Sequence, residues 1–290
     1  MGERLHEVRG VTLCAETFGR SEDPAVLLLG GAMCSMDYWD PEFCALIAEA
    51  GRFVIRFDYR DTGRSQTYRR DEPGYRDTDF VLDALGLLDV LGVDRAHVVG
   101  ISMGGGLAQS IVAGWPERVA SLTLISTSPS LARASDAPAL PPIGQGYDPS
   151  AEQRPDPDWS DRTQLRAWLL GTLKDERGSR GIDDASAEAL AARIAERSEL
   201  PFAATNHWVI LGGESSGEPL PTELTRLSEI TVPTLVIHGD EDPLFGNAHG
   251  EALAAEVPGA EFMLLAGVAH EYPPRATWSE VVPAMVRTTS

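Results

Sequence analysis

The stretch HVVGISMGGGLAQS, residues 97–110, predicts a sharp turn between a buried strand and a helix. The apolar run ends at Gly100, and the helical pattern that follows opens with three further glycines. Between them, Gly-Ile-Ser-Met-Gly places Ser102 in the pattern of a nucleophile elbow. Glycines lack the Cβ atoms that would collide in so tight a turn. We therefore expect the Ser102 hydroxyl to project into a cleft, although a serine that merely caps a helix would give a similar pattern.

Outward from this turn, strand and helix patterns alternate along the chain. Seven segments have strand patterns, most of them continuously apolar as in buried strands: 11–19, 25–31, 53–65, 96–102, 120–129, 232–243 and 260–270. Helical patterns of ten or more residues separate most of the later segments. Such spacing requires crossover connections and predicts a mostly parallel sheet flanked by helices.

The alternation stops after Ser128 and returns near residue 229. Residues 129–157 are rich in Pro, Gly, Asp and Ser, and helical patterns follow at 162–176 and 185–198. We interpret residues 1–128 and 229–290 as one α/β core, and residues 129–228 as a helical cap or lid inserted after the sixth strand. The alternative is a surface insertion with no role at the site.

A serine nucleophile needs a base and a carboxylate that orients the base. Asp242 follows one late strand, and His270 follows the next. Because the carboxyl ends of neighbouring parallel strands meet at one edge of the sheet, all three side chains can converge there. Asp240 and Glu241 compete for the acid role. We favour Asp242 because it lies deeper in the loop, directly before a proline.

Further groups complete the predicted site. The oxyanion donors are expected to be the backbone N–H groups of Met103, after the nucleophile, and Ala32, in the loop after the strand at 25–31. Aromatic residues of the insert and of the oxyanion loop could line an apolar substrate pocket or simply pack the lid. These residues are Tyr38, Trp39, Trp159, Trp168, Phe202 and Trp208, and His207 beside them is a further candidate for substrate contact. The remaining histidines, 6, 97, 238 and 249, are expected to be structural or solvated.

These motifs resemble the α/β-hydrolase superfamily. The elbow, the acid loop GDEDP and the C-terminal GVAH follow its order, and the similarity covers about residues 10–128 and 229–288. The chain departs from many members by carrying Gly30-Gly31-Ala32 where His-Gly is common. Within the superfamily, RFDYRDTGRS, GVDRAHVVGISMG and VPTLVI most resemble the aclacinomycin methylesterase group of polyketide-tailoring enzymes. The resemblance implies an eight-stranded α/β-hydrolase fold and removal of a methyl ester from an anthracycline-like compound.

The predicted function is therefore hydrolysis of a carboxylic ester through an acyl-enzyme on Ser102. The same triad would also serve a lactonase, a carbon–carbon hydrolase, an acyltransferase or a perhydrolase. A non-catalytic ligand-binding scaffold is a further alternative, because a fold does not prove an activity. A nucleotide site is rejected, since GISMGGG lacks both the P-loop ending and the dinucleotide spacing.

Composition narrows the partners and the location. The 290 residues carry a formal net charge of −20, which opposes binding to nucleic acid and to anionic membranes. Three cysteines without close pairing, and an N-terminus without an apolar signal region, predict a cytoplasmic protein. No zinc-ligand spacing is present in the sequence, and the triad chemistry needs no metal or organic cofactor. The expected partner is a small-molecule ester, and the sequence leaves the oligomeric state open.

Overall fold

The computed structural model describes residues 2–146, 154–213 and 219–290, and centres on one sheet of eight strands. The sheet order is β1-β2-β4-β3-β5-β6-β7-β8. The strands are β1 (Arg4–Val8), β2 (Val11–Phe18), β3 (Ala25–Leu29), β4 (Phe53–Phe57), β5 (Ala96–Ile101), β6 (Val119–Ile125), β7 (Thr234–Gly239) and β8 (Glu261–Leu265). The pairs β1·β2 and β2·β4 are antiparallel, and all others are parallel. The predicted mostly parallel sheet of the α/β-hydrolase fold is confirmed.

Helices cover both faces of this sheet and also form the insert. They are α1 (Pro41–Glu49), α2 (Asp77–Val90), α3 (Met103–Gly114), α4 (Arg162–Asp175), α5 (Asp184–Arg197), α6 (Asn206–Gly212), α7 (Ala248–Glu256) and α8 (Trp278–Thr288). Along β3, Leu27 and Leu29 pack into one apolar layer with α2 and α3, while Val26 and Leu28 pack into the other with α1 and α8. Burial of both faces explains why this strand is apolar throughout.

Strand β1 had no recognisable pattern in the sequence. It is an edge strand, and four of its five residues are exposed or half-buried, so apolar alternation is weak. It joins β2 through Arg9 and Gly10, which have φ angles of 51° and 82°. Two successive positive φ values are typical of a tight hairpin turn, but the first of the two positions usually holds Asn, Asp or Gly and not Arg. The sequence therefore concealed this hairpin.

Helices α4 to α6 lie between β6 and β7, within the segment 129–228 that we interpreted as a cap or lid, and we call them the lid below. Helices α4 and α5 have an apolar cluster of their own, which includes Leu165 and Ile194. A buried cation at the end of α5 ties the lid to the sheet: the Arg197 guanidinium lies 2.7 Å from Asp58 and 2.6 Å from Glu3, and it also pairs with Asp37. The lid is therefore packed on the core by charge as well as by apolar contact.

Candidate active site

Ser102 occupies the turn between β5 and α3 in a left-handed conformation, with φ 54° and ψ −122°. Such a conformation costs a non-glycine residue about 1–3 kcal/mol, so the surroundings must hold it. The Ser102 N–H donates to the carbonyl of Ile125 at 3.0 Å, and the Thr127 hydroxyl donates to the Ser102 carbonyl at 2.9 Å. Neighbouring strand and loop atoms thus maintain the strained turn.

The flanking glycines are required by close backbone approach. A Cβ atom on Gly100 would lie 2.1 Å from the carbonyl oxygen of Gly104. A Cβ atom on Gly104 would lie 2.4 Å from the carbonyl oxygen of Leu29 in β3. Real Cβ atoms do not approach backbone so closely, and this explains the glycine at each position.

Ser102, His270 and Asp242 form one chain of hydrogen bonds. His270 Nε2 lies 3.0 Å from Ser102 Oγ, and His270 Nδ1 lies 2.9 Å from Asp242 Oδ2. The other carboxylate oxygen of Asp242 accepts from the N–H groups of Leu244 and Phe245 at 2.8 and 2.9 Å. Both oxygens of the Asp242 carboxylate accept hydrogen bonds, so the imidazole of His270 must carry its proton on Nδ1. Nε2 then has a lone pair that can accept from the serine.

Electrostatics favour the charged form of this acid. Burial alone would raise the pKa of Asp242, but the hydrogen bond and electrostatic interaction with His270, together with the N–H of Phe245, outweigh it, and the pKa lies below its usual value. Its side chain is fully buried, while that of His270 is 17% exposed. A buried carboxylate that stays ionised can stabilise an imidazolium in front of it.

The competing acids are engaged elsewhere. Asp240 accepts from the N–H of Gly267 at 2.6 Å, and Glu241 binds the backbone N–H and hydroxyl of Ser179. The structure brings Asp242, and neither of the other two, to His270.

The other histidines have structural contacts. His238 Nε2 lies 2.6 Å from the carbonyl of Phe245 and 3.8 Å from Asp242, so it braces the acid loop. His97 Nδ1 lies 2.8 Å from Ser121 Oγ, and His249 Nδ1 lies 2.9 Å from Ser128 Oγ. His6 lies in β1 at the sheet edge. Support of the acid loop by His238 is a contact that the sequence did not reveal.

Both expected oxyanion donors lie beside the serine. Met103 is the first residue of α3, where backbone N–H groups have no partner within the helix. Ala32 lines the cavity in the loop after β3, next to Gly31, whose α-carbon faces the Ser102 Cβ. The N–H of Ala32 forms no hydrogen bond with any residue that the structure describes. Two adjacent segments therefore present unpaired donors near the Ser102 hydroxyl.

A cavity of about 560 Å³ opens over Ser102 and His270, between the sheet edge and the lid. Four of the aromatic side chains singled out in the sequence line it: Tyr38, Trp159, Trp168 and Trp208. Leucines and an isoleucine of α4 and α5 complete the apolar wall: Leu165, Leu169, Leu173, Leu190 and Ile194. Their helical periodicity was visible in the sequence, but it did not show which face would meet the cavity.

Three predicted substrate contacts do not line this cavity, which corrects the expectation. Trp39 is 1% exposed and packs against Phe43 within the core. Phe202 lies in a short helix with three residues per turn, Pro201–Thr205. Pro201 and Ala204 share the face toward the cavity, so Phe202 points away from that face. His207 is fully buried and bonds to the backbone of Met33 and Arg60 instead.

Two other kinds of feature are absent from the parts of the chain that the structure describes. Within residues 2–146, 154–213 and 219–290, no group of three or more His, Cys, Asp or Glu side chains is arranged to hold a metal ion. In those same parts of the chain, no helix is both long and apolar enough to cross a membrane.

Comparison with known proteins gives consistent similarities. A family model described as the alpha/beta hydrolase fold matches residues 24–272. Rhodomycin D methylesterase DauP from Streptomyces sp. strain C5 is 31% identical over 280 residues, which span 91% of this chain and 90% of that protein. The 3-oxoadipate enol-lactonase 2 of Acinetobacter baylyi is 27% identical, over 85% of this chain and 82% of that protein. The crystal structure of the esterase RhEst1 from Rhodococcus sp. ECU1013 matches over 100% of both chains, with a TM-score of 0.71 and 20% identity.

Proposed function

Because this chain belongs to the alpha/beta hydrolase family, we propose that it is a serine hydrolase that cleaves a carboxylic ester through Ser102, His270 and Asp242. The single observation that carries the proposal is the continuous hydrogen-bond chain from hydroxyl to imidazole to buried carboxylate, at 3.0 and 2.9 Å. Relatives that are named methylesterase and lactonase support a hydrolytic reaction.

The reaction proceeds in two halves. His270 Nε2 takes the Ser102 proton as Oγ attacks the ester carbonyl, and the N–H groups of Ala32 and Met103 stabilise the oxyanion. Collapse of the tetrahedral intermediate breaks the ester C–O bond, and imidazolium gives its proton to the departing alcohol. Water, deprotonated by His270, then attacks the acyl-enzyme; the bond from the acyl carbon to Ser102 Oγ breaks, Oγ takes the proton back from His270, and the acid is released. Asp242 stabilises imidazolium in both halves without itself being protonated.

The proposed substrate is a methyl ester on a bulky polycyclic acid, such as a polyketide of the anthracycline type. Support comes from the rhodomycin D methylesterases, which are 31% and 30% identical to this chain. The cavity fits this class as well, because four tryptophans and several leucines suit a flat apolar ring system. Such a substrate would give the protein a role in antibiotic biosynthesis. We also propose that the protein acts in the cytoplasm.

Lactone cleavage is the second candidate, favoured by the similarity to an enol-lactonase. It uses the same attack, but the leaving oxygen stays attached to the product. Mass spectrometry separates the two, since an ester gives an acid and an alcohol while a lactone gains one water without losing a fragment.

The first test is covalent labelling with a fluorophosphonate. We expect one label on Ser102 in the wild-type protein and none in Ser102→Ala. Undiminished labelling of that variant would remove Ser102 from the mechanism. Folded Ser102→Ala, verified by circular dichroism, should also fail to hydrolyse any member of a methyl-ester panel that the wild-type protein cleaves.

A further inference from the structure

The loop at residues 30–34, which carries the proposed oxyanion donor, is held from both sides by side chains outside it. On one side, the N–H of Gly31 donates to the Tyr272 hydroxyl at 2.8 Å. On the other side, the N–H of Met33 donates to His207 Nδ1 at 2.9 Å. Tyr272 lies two residues after the proposed base, and His207 belongs to lid helix α6. The two anchors thus come from the base loop and from the lid.

The anchors engage the N–H groups on either side of Ala32 and leave that of Ala32 unpaired. With the N–H groups of Gly31 and Met33 both hydrogen-bonded, the peptide plane between them has little freedom to rotate. Met33 itself has a φ of 63°, a conformation that a residue with a side chain adopts only when its surroundings hold it there. The bond from Met33 to His207 supplies such a constraint.

The contacts of His207 define its protonation. Nδ1 accepts from a backbone N–H, so the proton must be on Nε2, which lies 2.9 Å from the carbonyl of Arg60 and donates to it. The ring is fully buried against Phe80 and Tyr59. Burial lowers its pKa to about 4, against an opposing effect of the Arg60 carbonyl. The neutral tautomer that satisfies both bonds is therefore the form present near neutral pH.

The neighbouring residue, Asn206, anchors the same end of α6 without touching this loop. Its amide donates to Asp61 Oδ2 at 2.9 Å and to the carbonyl of Arg69 at 3.0 Å, and it accepts from the N–H of Asp71 at 2.7 Å. Asn206 is also fully buried. It therefore offers a matched control, because it fixes the lid to the core but leaves residues 30–34 alone.

We propose that His207 and Tyr272 are positioning residues that orient the N–H of Ala32 toward the oxyanion, so that the lid helps to build the catalytic site as well as to cover it. This inference rests on the proposed serine-hydrolase function. Its consequence is that loss of either anchor lowers the rate of steps that develop an oxyanion and leaves ground-state binding almost unchanged.

Two substitutions at position 207 separate the two bonds. The side-chain oxygen of His207→Asn lies close to the position of Nδ1 and can keep the bond to Met33. His207→Gln instead reaches the position of Nε2, so it can keep the bond to Arg60 and loses the one to Met33. Tyr272→Phe removes the other anchor with little change in volume.

The assay measures the second-order rate of phosphonylation by a fluorophosphonate, together with kcat and KM for p-nitrophenyl butyrate where turnover is detectable. We expect His207→Gln and Tyr272→Phe each to lower the phosphonylation rate and kcat about 10- to 100-fold, with KM changed by less than about 3-fold. His207→Asn should recover most of the loss. Asn206→Ala should melt earlier but react within about 3-fold of the wild-type rate.

Each outcome decides between the two proposals. The positioning role would be overturned by wild-type rates in His207→Gln and Tyr272→Phe, or by equal impairment of His207→Asn and His207→Gln. In either case, labelling of the wild-type protein on Ser102 would still support the serine hydrolase. Absence of any wild-type label on Ser102 would overturn the proposed function instead. If His207→Gln does not fold, Tyr272→Phe decides alone: a slowed reaction at an unchanged melting temperature supports the inference, and a full rate refutes it.

Discussion

Replacement of Asp242 by asparagine is the sharpest test of the proposed triad, because the structure determines which way the new amide must face. Asp242 Oδ1 accepts from the N–H groups of Leu244 and Phe245. In Asp242→Asn, the amide oxygen has to stay on those two donors, since an NH₂ group there would meet two further donors. The NH₂ group is thereby turned toward His270.

This orientation inverts the tautomer of the base. An amide donor facing His270 Nδ1 requires that nitrogen to carry the lone pair, so the proton moves to Nε2. Nε2 then cannot accept the Ser102 proton across its 3.0 Å contact. We expect kcat to fall by about 10⁴, which corresponds to about 5 kcal/mol of transition-state stabilisation. Folding should be little affected, because volume and three hydrogen bonds are retained.

The assay is ester hydrolysis and fluorophosphonate labelling of the wild-type protein, Asp242→Asn and a matched control, Asp240→Asn. In the control, the amide oxygen can keep the bond to the N–H of Gly267, and the side chain does not contact His270. We expect the control to retain activity within about 3-fold. Near-normal activity in Asp242→Asn, or a collapse confined to Asp240→Asn, would refute the assignment of the acid.

Three further predictions concern the fold around the site. Gly104→Ala brings a Cβ to within 2.4 Å of a β3 carbonyl oxygen and should lower the free energy of unfolding by at least about 1–3 kcal/mol. A Cβ on Gly106 would have only the Ser130 hydroxyl nearby, at 3.3 Å, so Gly106→Ala should be nearly neutral, and urea unfolding of both variants checks this. Arg197→Met leaves buried carboxylates unpaired and should lower the free energy of unfolding by about 3–5 kcal/mol, and a change below about 1 kcal/mol would contradict the anchoring role. Burial lowers the pKa of His207 to about 4, so between pH 6.5 and 4 the unfolded chain binds a proton at this residue and the native protein does not. The free energy of unfolding should therefore fall by about 3 kcal/mol from this group on acidification through that range. The fall should be smaller in His207→Asn.

The hydrogen-bonded arrangement of Ser102, His270 and Asp242 was predictable because its signals are local or follow from a general rule of sheet geometry. The elbow around Ser102 shows itself through glycines that only close backbone approach requires, between an apolar strand and a helical pattern. The positions of Asp242 and His270 follow because neighbouring parallel strands end at the same edge. Even the choice of Asp242 over Asp240 rested on position within one short loop.

The residues that line the cavity were not predictable in the same way. Trp39, Phe202 and His207 are residue types that often line pockets. Packing instead places Trp39 in the core, turns Phe202 away from the cavity and directs His207 onto the loop at residues 30–34. Which face of an inserted helix meets the substrate depends on how that helix docks on a distant part of the chain, and no short sequence pattern records this. The anchoring role of Tyr272 was hidden for the same reason, although it lies only two residues from His270.

The sequence alone therefore determined the class of fold, the edge of the sheet at which the proposed site lies and the three groups of the hydrogen-bond chain, because each depends on contacts between near neighbours or on the direction of adjacent strands. The tertiary structure decided which side chains line the cavity, how Arg197 fastens the lid and how the N–H of Ala32 is left unpaired between two anchored neighbours. Those features arise from contacts between segments more than a hundred residues apart, whose geometry exists only after the lid has packed on the sheet.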